Sequence, residues 1–216
     1  MHYFQLQAQD KNPISVKKLT ETSGSSAAIV KSLVDKNIFE EYYIAQDRVT
    51  FDKGENSHFA LSEAQQKAFD SIEDNFKPFD VSLLHGVTAS GKTEIYIKLL
   101  EQYVQQGKQV LFLLPEIALT TQLVQRLTAY FGNEVAVFHS KYSNNERIEV
   151  WNQVLENSPK AKVVIGVRSA MFLPFSNLGC IIVDEEHEQT YKQHDPAPRY
   201  HARDAAIVLA KQHNAK

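Results

Sequence analysis

The chain has 216 residues, 43% of them hydrophobic and 23% charged, with 23 Lys and Arg against 26 Asp and Glu and a formal net charge of -3. That balance excludes a disordered chain and a purely electrostatic nucleic-acid binder, and it allows one full domain and a small one, although a local basic face survives a neutral sum. A single cysteine, Cys180, excludes a disulfide framework or a cysteine-based zinc cluster and fits a reducing cytosol. With no run of about 18 apolar residues and no signal-peptide pattern in Met1 to Leu19, a cytoplasmic protein with no membrane partner is expected.

Residues 1–52 have their own rhythm. Ser15 to Thr22 suits a short helix, Ser23-Gly24-Ser25 a turn, and Ser26 to Lys36 a second helix with Ile29, Val30, Leu33 and Val34 on one face and Asn37 as its C-terminal cap. Ile38 to Ile44 and Arg48 to Phe51 are rich in aromatic and β-branched residues and read as a hairpin, so the segment is expected to be a winged-helix unit. Such a unit inserts its second helix in a DNA groove or serves as a docking module, and Ser25, Ser26, Lys31 and Lys36 offer only a thin basic set. Residues 53–60, polar and containing Gly54, read as a linker.

From 61 to 216 helical and strand patterns alternate. Phe79 to Leu84 reads as a short buried strand and Thr93 to Gln106 as a helix closed by Gly107. Gln109 to Leu114 then reads as a strand, Leu119 to Phe131 as a helix ended by Gly132, and Glu134 to Phe138 as a strand. Asn144 to Leu155 reads as a helix, Lys162 to Gly166 and Cys180 to Val183 as strands, and a last helix begins near His201. Repeated βα units with near-continuous apolar strands imply an α/β fold, a parallel sheet with helices on both faces.

Between the first strand and its helix stands Gly86-Val87-Thr88-Ala89-Ser90-Gly91-Lys92-Thr93, of the form G-x-x-x-x-G-K-[ST], which predicts a bound nucleoside triphosphate. Glycines let backbone N–H groups curl around phosphate oxygens, and the helix N-terminus adds partial positive charge. Lys92 would reach the β- and γ-phosphates and Thr93 would give its hydroxyl to Mg²⁺. Cys180-Ile181-Ile182-Val183-Asp184-Glu185-Glu186-His187 delivers carboxylates at the C-terminal end of a strand, where ligands bind in open α/β sheets. Asp184 would hold Mg²⁺, Glu185 would orient or deprotonate the attacking water, and His187 would link the site to a neighbouring element. Gln65 is placed to pair with adenine by donating to N7 and accepting from N6, or else is a surface helix residue. In Tyr191 to Arg203, Tyr191, His194 and Tyr200 offer stacking faces for bases, and Lys192, Arg199 and Arg203 offer phosphate contacts.

The phosphate loop with its Glu94-Ile95-Tyr96 continuation, Leu114-Pro115-Glu116-Ile117-Ala118-Leu119-Thr120, Gly166-Val167-Arg168-Ser169-Ala170-Met171-Phe172, Asp184-Glu185-Glu186-His187, and Tyr191-Lys192-Gln193 through Arg199-Tyr200-His201-Ala202-Arg203-Asp204 together resemble the PriA-type replication-restart helicases of superfamily 2. The likeness runs through most of residues 61–204 and agrees with a winged helix before it. It implies a RecA-like first motor lobe over 61–216, incomplete at its C-terminus, in a fragment of an ATP-dependent 3′-to-5′ DNA helicase of primosome assembly. It implies Gln65 as the adenine-reading glutamine, Gly86 to Thr93 as the phosphate loop, Asp184 and Glu185 as the Mg²⁺ and water-activating pair, and His187 as the coupling histidine. Glu116 to Thr121 and Gly166 to Ser169, with Arg168 in the latter, correspond to segments that meet the single-stranded DNA backbone, and Tyr191 to Tyr200 to an aromatic-rich loop coupling DNA to hydrolysis.

The implied cofactors are ATP and Mg²⁺, with zinc bound elsewhere in the longer protein and not by this chain. The implied partners are single-stranded and forked DNA, replication-restart proteins, single-stranded-DNA-binding protein and the replicative helicase loader. Ala89 departs from a position that is often glycine in the family. The resemblance also calls for a Ser-Ala-Thr strand between the phosphate-loop strand and the acidic-box strand, and its loss predicts a gap in the sheet or a rearrangement. Alternative readings are another superfamily 2 DNA translocase, or a non-catalytic winged-helix docking module.

Overall fold

The structure is a computed structural model that describes residues 14, 16–36, 38–39, 59–87, 90–116, 122–139 and 142–216. The chain divides into two compact units, Met1–Gln46 and Asp47–Lys216. In the first, α1 (Val16–Ser23) buries Leu19 and α2 (Ala27–Asp35), which Ser26 precedes in an extended conformation, buries Val30. Both helices lie within a residue or so of where composition and periodicity put them. Beyond Ile38 and Phe39, the hairpin expected over 38–44 and 48–51 lies outside the described residues, as do Asn37 and most of the linker.

The second unit begins with α3 (Glu63–Asn75). Its first turn is closed by a reciprocal capping box in which Ser62 accepts from the Gln65 backbone N–H and Gln65 Oε1 accepts from the Ser62 N–H at 2.8 Å. There follow α4 (Lys92–Gln105), β1 (Gln109–Leu113), α5 (Gln122–Phe131), β2 (Val135–Phe138), α6 (Asn144–Leu155), β3 (Val163–Gly166), β4 (Leu178–Val183) and α7 (Ala202–His213). The four strands form one parallel sheet in the order β2-β3-β1-β4.

Alternation along the strands sorts the apolar side chains to two faces. Val110, Phe112, Val135, Val137, Val163, Ile165, Cys180 and Ile182 pack with Ile97 and Leu100 of α4 and Leu127 and Phe131 of α5. Leu111, Leu113, Ala136, Phe138 and Val164 pack against Val150 and Val154 of α6 and the alanine row Ala202, Ala206 and Ala210 of α7, whose small side chains allow close approach to the sheet. Each aliphatic side chain buried this fully stabilises the fold by about 1.5–3 kcal/mol. Helix α3 joins α4 through Ile72, Ile95 and Leu99. Burial also raises the Cys180 thiol to about 12, so this cysteine is a core residue without thiolate chemistry.

One expected strand is absent. Residues 79–84 form no ladder: Phe79, Val81 and Leu83 are 61%, 53% and 75% exposed, and only Leu84 packs, half-buried, against the α3–α4 core. A strand's apolar residues become buried only when a neighbour supplies the other half of the hydrogen-bond ladder. Here β4 is the last strand of the sheet, and Lys216 lies on its outer side. The Lys216 N–H donates to the Gly179 carbonyl at 3.0 Å, and the Ile181 N–H donates to the Lys216 carbonyl at 2.7 Å, which is parallel-ladder geometry. The Lys216 ammonium reaches across to the Phe79 carbonyl and Asp80 Oδ1, both at 3.0 Å. Between residues 80–86 and β4 lies a cavity of about 740 Å3, with Ile72, Leu84, Ile182 and Ile207 among its lining. Among the described residues, Lys216 alone pairs along this edge of β4.

Gln109 opens β1 fully buried, and its amide makes three hydrogen bonds to backbone groups. Oε1 accepts from the backbone N–H groups of Ser176 and Asn177 at 3.1 and 3.0 Å, and Nε2 donates to the Val154 carbonyl at 2.8 Å. This one side chain ties the end of α6 and the approach to β4 onto the central strand. Gln109→Leu keeps the volume but orphans two donors and an acceptor, so chemical denaturation should show a loss of roughly 2–4 kcal/mol in unfolding free energy. A loss under about 0.5 kcal/mol would show that the amide contributes no more than an ordinary surface group.

Candidate nucleotide site and the loop beside it

The phosphate-loop sequence lies at the N-terminus of α4, after the extended segment 81–87. Gly91 precedes the helix with φ +81°, a left-handed conformation that glycine adopts without strain. A Cβ there would also collide with the Gln65 amide nitrogen, and one on Gly86 would come within 2.8 Å of Ser90 Oγ. The loop thus keeps its backbone bare at both glycines. Ser90 N–H donates to the Val87 carbonyl at 3.2 Å, while Thr88 and Ala89 lie outside the described residues. Lys92 folds back over the loop, its ammonium donating to the carbonyls of Gly86 and Val87 at 2.8 and 3.0 Å.

Gln65 clamps this loop to α3. Its Nε2 donates to the Gly91 carbonyl at 3.1 Å while Oε1 serves the capping box. One amide hydrogen and one lone pair remain, the two valences needed to pair with an adenine edge.

The acidic turn faces the same cavity: Gly86, Lys92, Asp184, Glu185 and His187 all line it. Parallel pairing of β4 with β1, extended by the Asp184 N–H donating to the Leu113 carbonyl at 3.1 Å, delivers the turn at the C-terminal edge of the sheet. Glu185 adopts φ +48°, and its carbonyl accepts from the Glu188 N–H at 2.8 Å, closing a tight turn that leaves Glu185 and His187 exposed. A non-glycine residue in that region costs of order 1 kcal/mol, a strain seen typically at functional turns. Glu186 is turned aside into an ion pair with Arg203 Nη1 at 2.6 Å, and Arg203 also bonds Asp204.

Two tyrosines hold Asp184. The Tyr96 hydroxyl donates to Asp184 Oδ1 at 3.2 Å, and the Tyr191 hydroxyl lies 2.7 Å from the Asp184 carbonyl and 3.0 Å from that of Leu113. Burial, and secondarily the Asp184 charge, raises both phenols above their ordinary range, so each stays a neutral donor. Tyr96 went unassigned in the reading of the motifs. The signal was available: it follows Lys92 by four residues and Thr93 by three, the spacing of one helix face.

The base-stacking role expected of Tyr191 is overturned. The residue is 1% exposed because its ring fills the core beside α7 and its hydroxyl donates inward, where the Asp184 and Leu113 carbonyls share its proton, so it presents no face to a base. Tyr200 is half-buried edge-on to Phe172, with ring centroids 5.3 Å apart, while His194 and Arg199 are exposed at the tip of the loop. The root of the loop is a short antiparallel contact between Lys192 and His201. Arg168 braces that root: Nη1 donates to the Lys192 carbonyl at 3.0 Å and Nη2 lies 3.7 Å from Glu116 Oε1. Ser169 sits half-buried in the same short 3-10 turn, Arg168–Phe172. Residues 117–121 lie outside the described residues.

The Thr93 hydroxyl and the Asp184 carboxylate are hard oxygen donors of the kind Mg²⁺ takes alongside phosphate oxygens. The Tyr96–Asp184 contact, one turn from Thr93, puts the start of α4 next to the acidic turn. The bare glycines and the lysine folded into the loop fit a phosphate cradle. These residues therefore fit a Mg²⁺-nucleotide.

Comparison with known proteins agrees with this geometry. The family model of the DEAD/DEAH box helicases matches residues 62–213, and that of the winged helix domain of PriA helicase, Bacteroidota, matches residues 1–45. The chain is 40% identical to the Replication restart protein PriA of Bacillus subtilis over 93% of its own length and 25% of that protein's. It is 41% identical to the protein of the same name from Haemophilus influenzae, over 97% of this chain and 30% of the relative. The chain thus spans between a quarter and a third of the length of these curated relatives. Among solved structures, RecG bound to a three-way DNA junction matches 88% of this chain and 25% of its own, with a TM-score of 0.52 at 19% identity, a likeness of fold. A parallel sheet carrying a phosphate loop and an acidic turn at one edge, matched along most of its length, places the chain in the DEAD/DEAH box helicase family, with PriA replication restart proteins as its relatives.

Proposed function

We propose that the chain carries the winged-helix module, over about residues 1–52, and the ATP-binding first motor lobe, over 61–216, of a PriA-type replication-restart helicase. The longer protein would translocate 3′ to 5′ on DNA, act at stalled or branched forks in the cytoplasm and help reload the replisome. The observation that carries this reading is the convergence of Lys92 and Asp184-Glu185 on one cavity at one edge of a parallel sheet.

Lys92 exchanges the carbonyls of Gly86 and Val87 for the β- and γ-phosphates of ATP, and the loop N–H groups hold the remaining oxygens. Gln65 keeps its hold on Gly91 and spends its two remaining valences on the adenine edge. Thr93 and Asp184 would hold Mg²⁺, which would supply charge neutralisation at the phosphates. Glu185, set outward by its left-handed backbone, orients the attacking water and accepts its proton. His187, exposed in the same turn, meets the neighbouring motor element.

Single-stranded DNA runs past Arg168-Ser169 and the tip of the loop 191–201. His194, Tyr200 and Arg199 meet bases and phosphates there; Lys192 and Arg168 act from the root. Zinc, single-stranded-DNA-binding protein, other restart proteins and the replicative helicase loader belong to the longer protein.

Three outcomes test the reading. Lys92→Ala should weaken binding of a fluorescent ATP analogue at least tenfold by titration, since a charge-assisted contact to phosphate is worth over about 1.4 kcal/mol; unchanged affinity would remove the loop from the site. The chain alone should not unwind a forked duplex and should hydrolyse ATP poorly, because phosphoryl transfer in such motors uses an arginine from the second lobe. Hydrolysis stimulated by single-stranded DNA to the rate of a full-length relative would overturn that. Extending the chain by the roughly 20 residues that follow in a long relative should pair the gap beside β4 and slow amide exchange across 81–84, because laddered N–H groups exchange only on opening. Unaltered exchange there would count against a strand between β4 and the phosphate-loop segment.

A further inference from the structure

Asp184 has two kinds of support. Its backbone is fixed by the β1 ladder and by Tyr191, and its carboxylate accepts from a neutral donor, the Tyr96 hydroxyl at 3.2 Å. Tyr96 is itself held rigidly. Its ring is 8% exposed, stands edge-on to Phe112 with centroids 5.5 Å apart, and belongs to the core that packs α4 on the sheet. The same helix begins with Lys92 and Thr93, so the hydroxyl belongs to the element that ends the phosphate loop.

We propose that Tyr96 is a positioning residue for the metal-binding carboxylate: its hydroxyl engages Oδ1 of Asp184, fixes the rotation of the carboxylate, and leaves the other oxygen for the Mg²⁺ that would accompany the nucleotide. This deepens the nucleotide-site reading and rests on it. The chemistry favours a phenol for this task. A neutral donor orients a carboxylate without cancelling its charge, whereas a lysine or arginine in its place would compete with the cation. The hydroxyl lies one helical turn beyond Thr93, the other protein oxygen offered to the metal, so loop, threonine and carboxylate are set relative to one another by a single helix face.

The test is Tyr96→Phe in the whole chain, which retains the ring, its packing and its contact with Phe112 and removes only the oxygen. Binding of a fluorescent ATP analogue is titrated with Mg²⁺ and, separately, in EDTA, with the thermal midpoint of each protein recorded. The expected result is a Mg²⁺ midpoint raised about tenfold, as is usual when a partner of a metal ligand is lost, with affinity in EDTA unchanged. An identical Mg²⁺ midpoint in the two proteins would overturn the proposal. A parallel loss of affinity in EDTA would also overturn it, since that would give the hydroxyl a general role in holding α4. Absence of any Mg²⁺ dependence in the unsubstituted chain would sink the metal-site reading itself, and the proposal with it, a failure distinguishable because it needs no variant. Tyr96→Leu, which removes both ring and hydroxyl, should lower the thermal midpoint as well; Tyr96→Phe shifting that midpoint as far would mark the hydroxyl as structural and likewise overturn the proposal.

Discussion

The hydrogen bond from the Asp184 N–H to the Leu113 carbonyl marks the point at which a buried sheet becomes a site. It is the last rung of the β1–β4 pairing, and the acidic turn follows directly from it. Because β1 is fully buried from Gln109 to Leu113 and paired on both sides, its end cannot shift without opening both ladders. The acidic turn inherits that rigidity. Glu185 then departs from the strand in a left-handed conformation, and the change of backbone direction sends successive carboxylates different ways: Asp184 toward α4, Glu186 toward Arg203.

The Leu113 carbonyl is shared by a second group that matters as much. Tyr191 brings its hydroxyl to this carbonyl and to that of Asp184, so the root of the loop 191–201 is joined to the acidic turn through a side chain with almost no exposure. Arg168 joins the same root to Glu116, just beyond β1. Buried hydroxyl contacts of this kind are costly to leave unmade, at about 1–3 kcal/mol for an orphaned partner. The loop is consequently anchored at its root and exposed at its tip, where His194 and Arg199 stand.

Much of this was legible in the chain before any coordinates. Near-continuous apolar runs identified β1 to β4 because strands buried on both faces leave no polar alternation. Gly107 and Gly132 marked helix ends, and both have positive φ in the structure. The errors have a common physical origin, for each concerns a partner distant in sequence. Phe79 to Leu84 has strand composition, but a strand exists only with a neighbour, and among the described residues the edge of β4 pairs with Lys216 alone. Tyr191 sits in a polar, proline-rich stretch that looks solvated, and only the fold reveals the carbonyls of Asp184 and Leu113 beside its hydroxyl. Gln109 opens the strand expected over 109–114, and nothing local to it announces the three backbone groups from elsewhere that converge on its amide. Tyr96 was the exception, since local helical spacing alone aligns it with Lys92 and Thr93.

The phosphate loop shows how such a site remains folded around a charge it does not need for packing. Lys92 has no carboxylate partner in the loop; its ammonium is satisfied by two carbonyls at hydrogen-bond distance. Neutral carbonyls hold a cation less strongly than phosphate oxygens do, because bonds between ionised partners are roughly twice as strong. The arrangement is therefore stable enough to keep the loop curled and weak enough to be exchanged for an anion. Gln65 contributes from the other side, fixing Gly91 while keeping two hydrogen-bonding valences in reserve. Contacts to the carbonyls of Gly86, Val87 and Gly91 thus hold the two ends of the loop, and those from Lys92 are of the kind that a phosphate can replace.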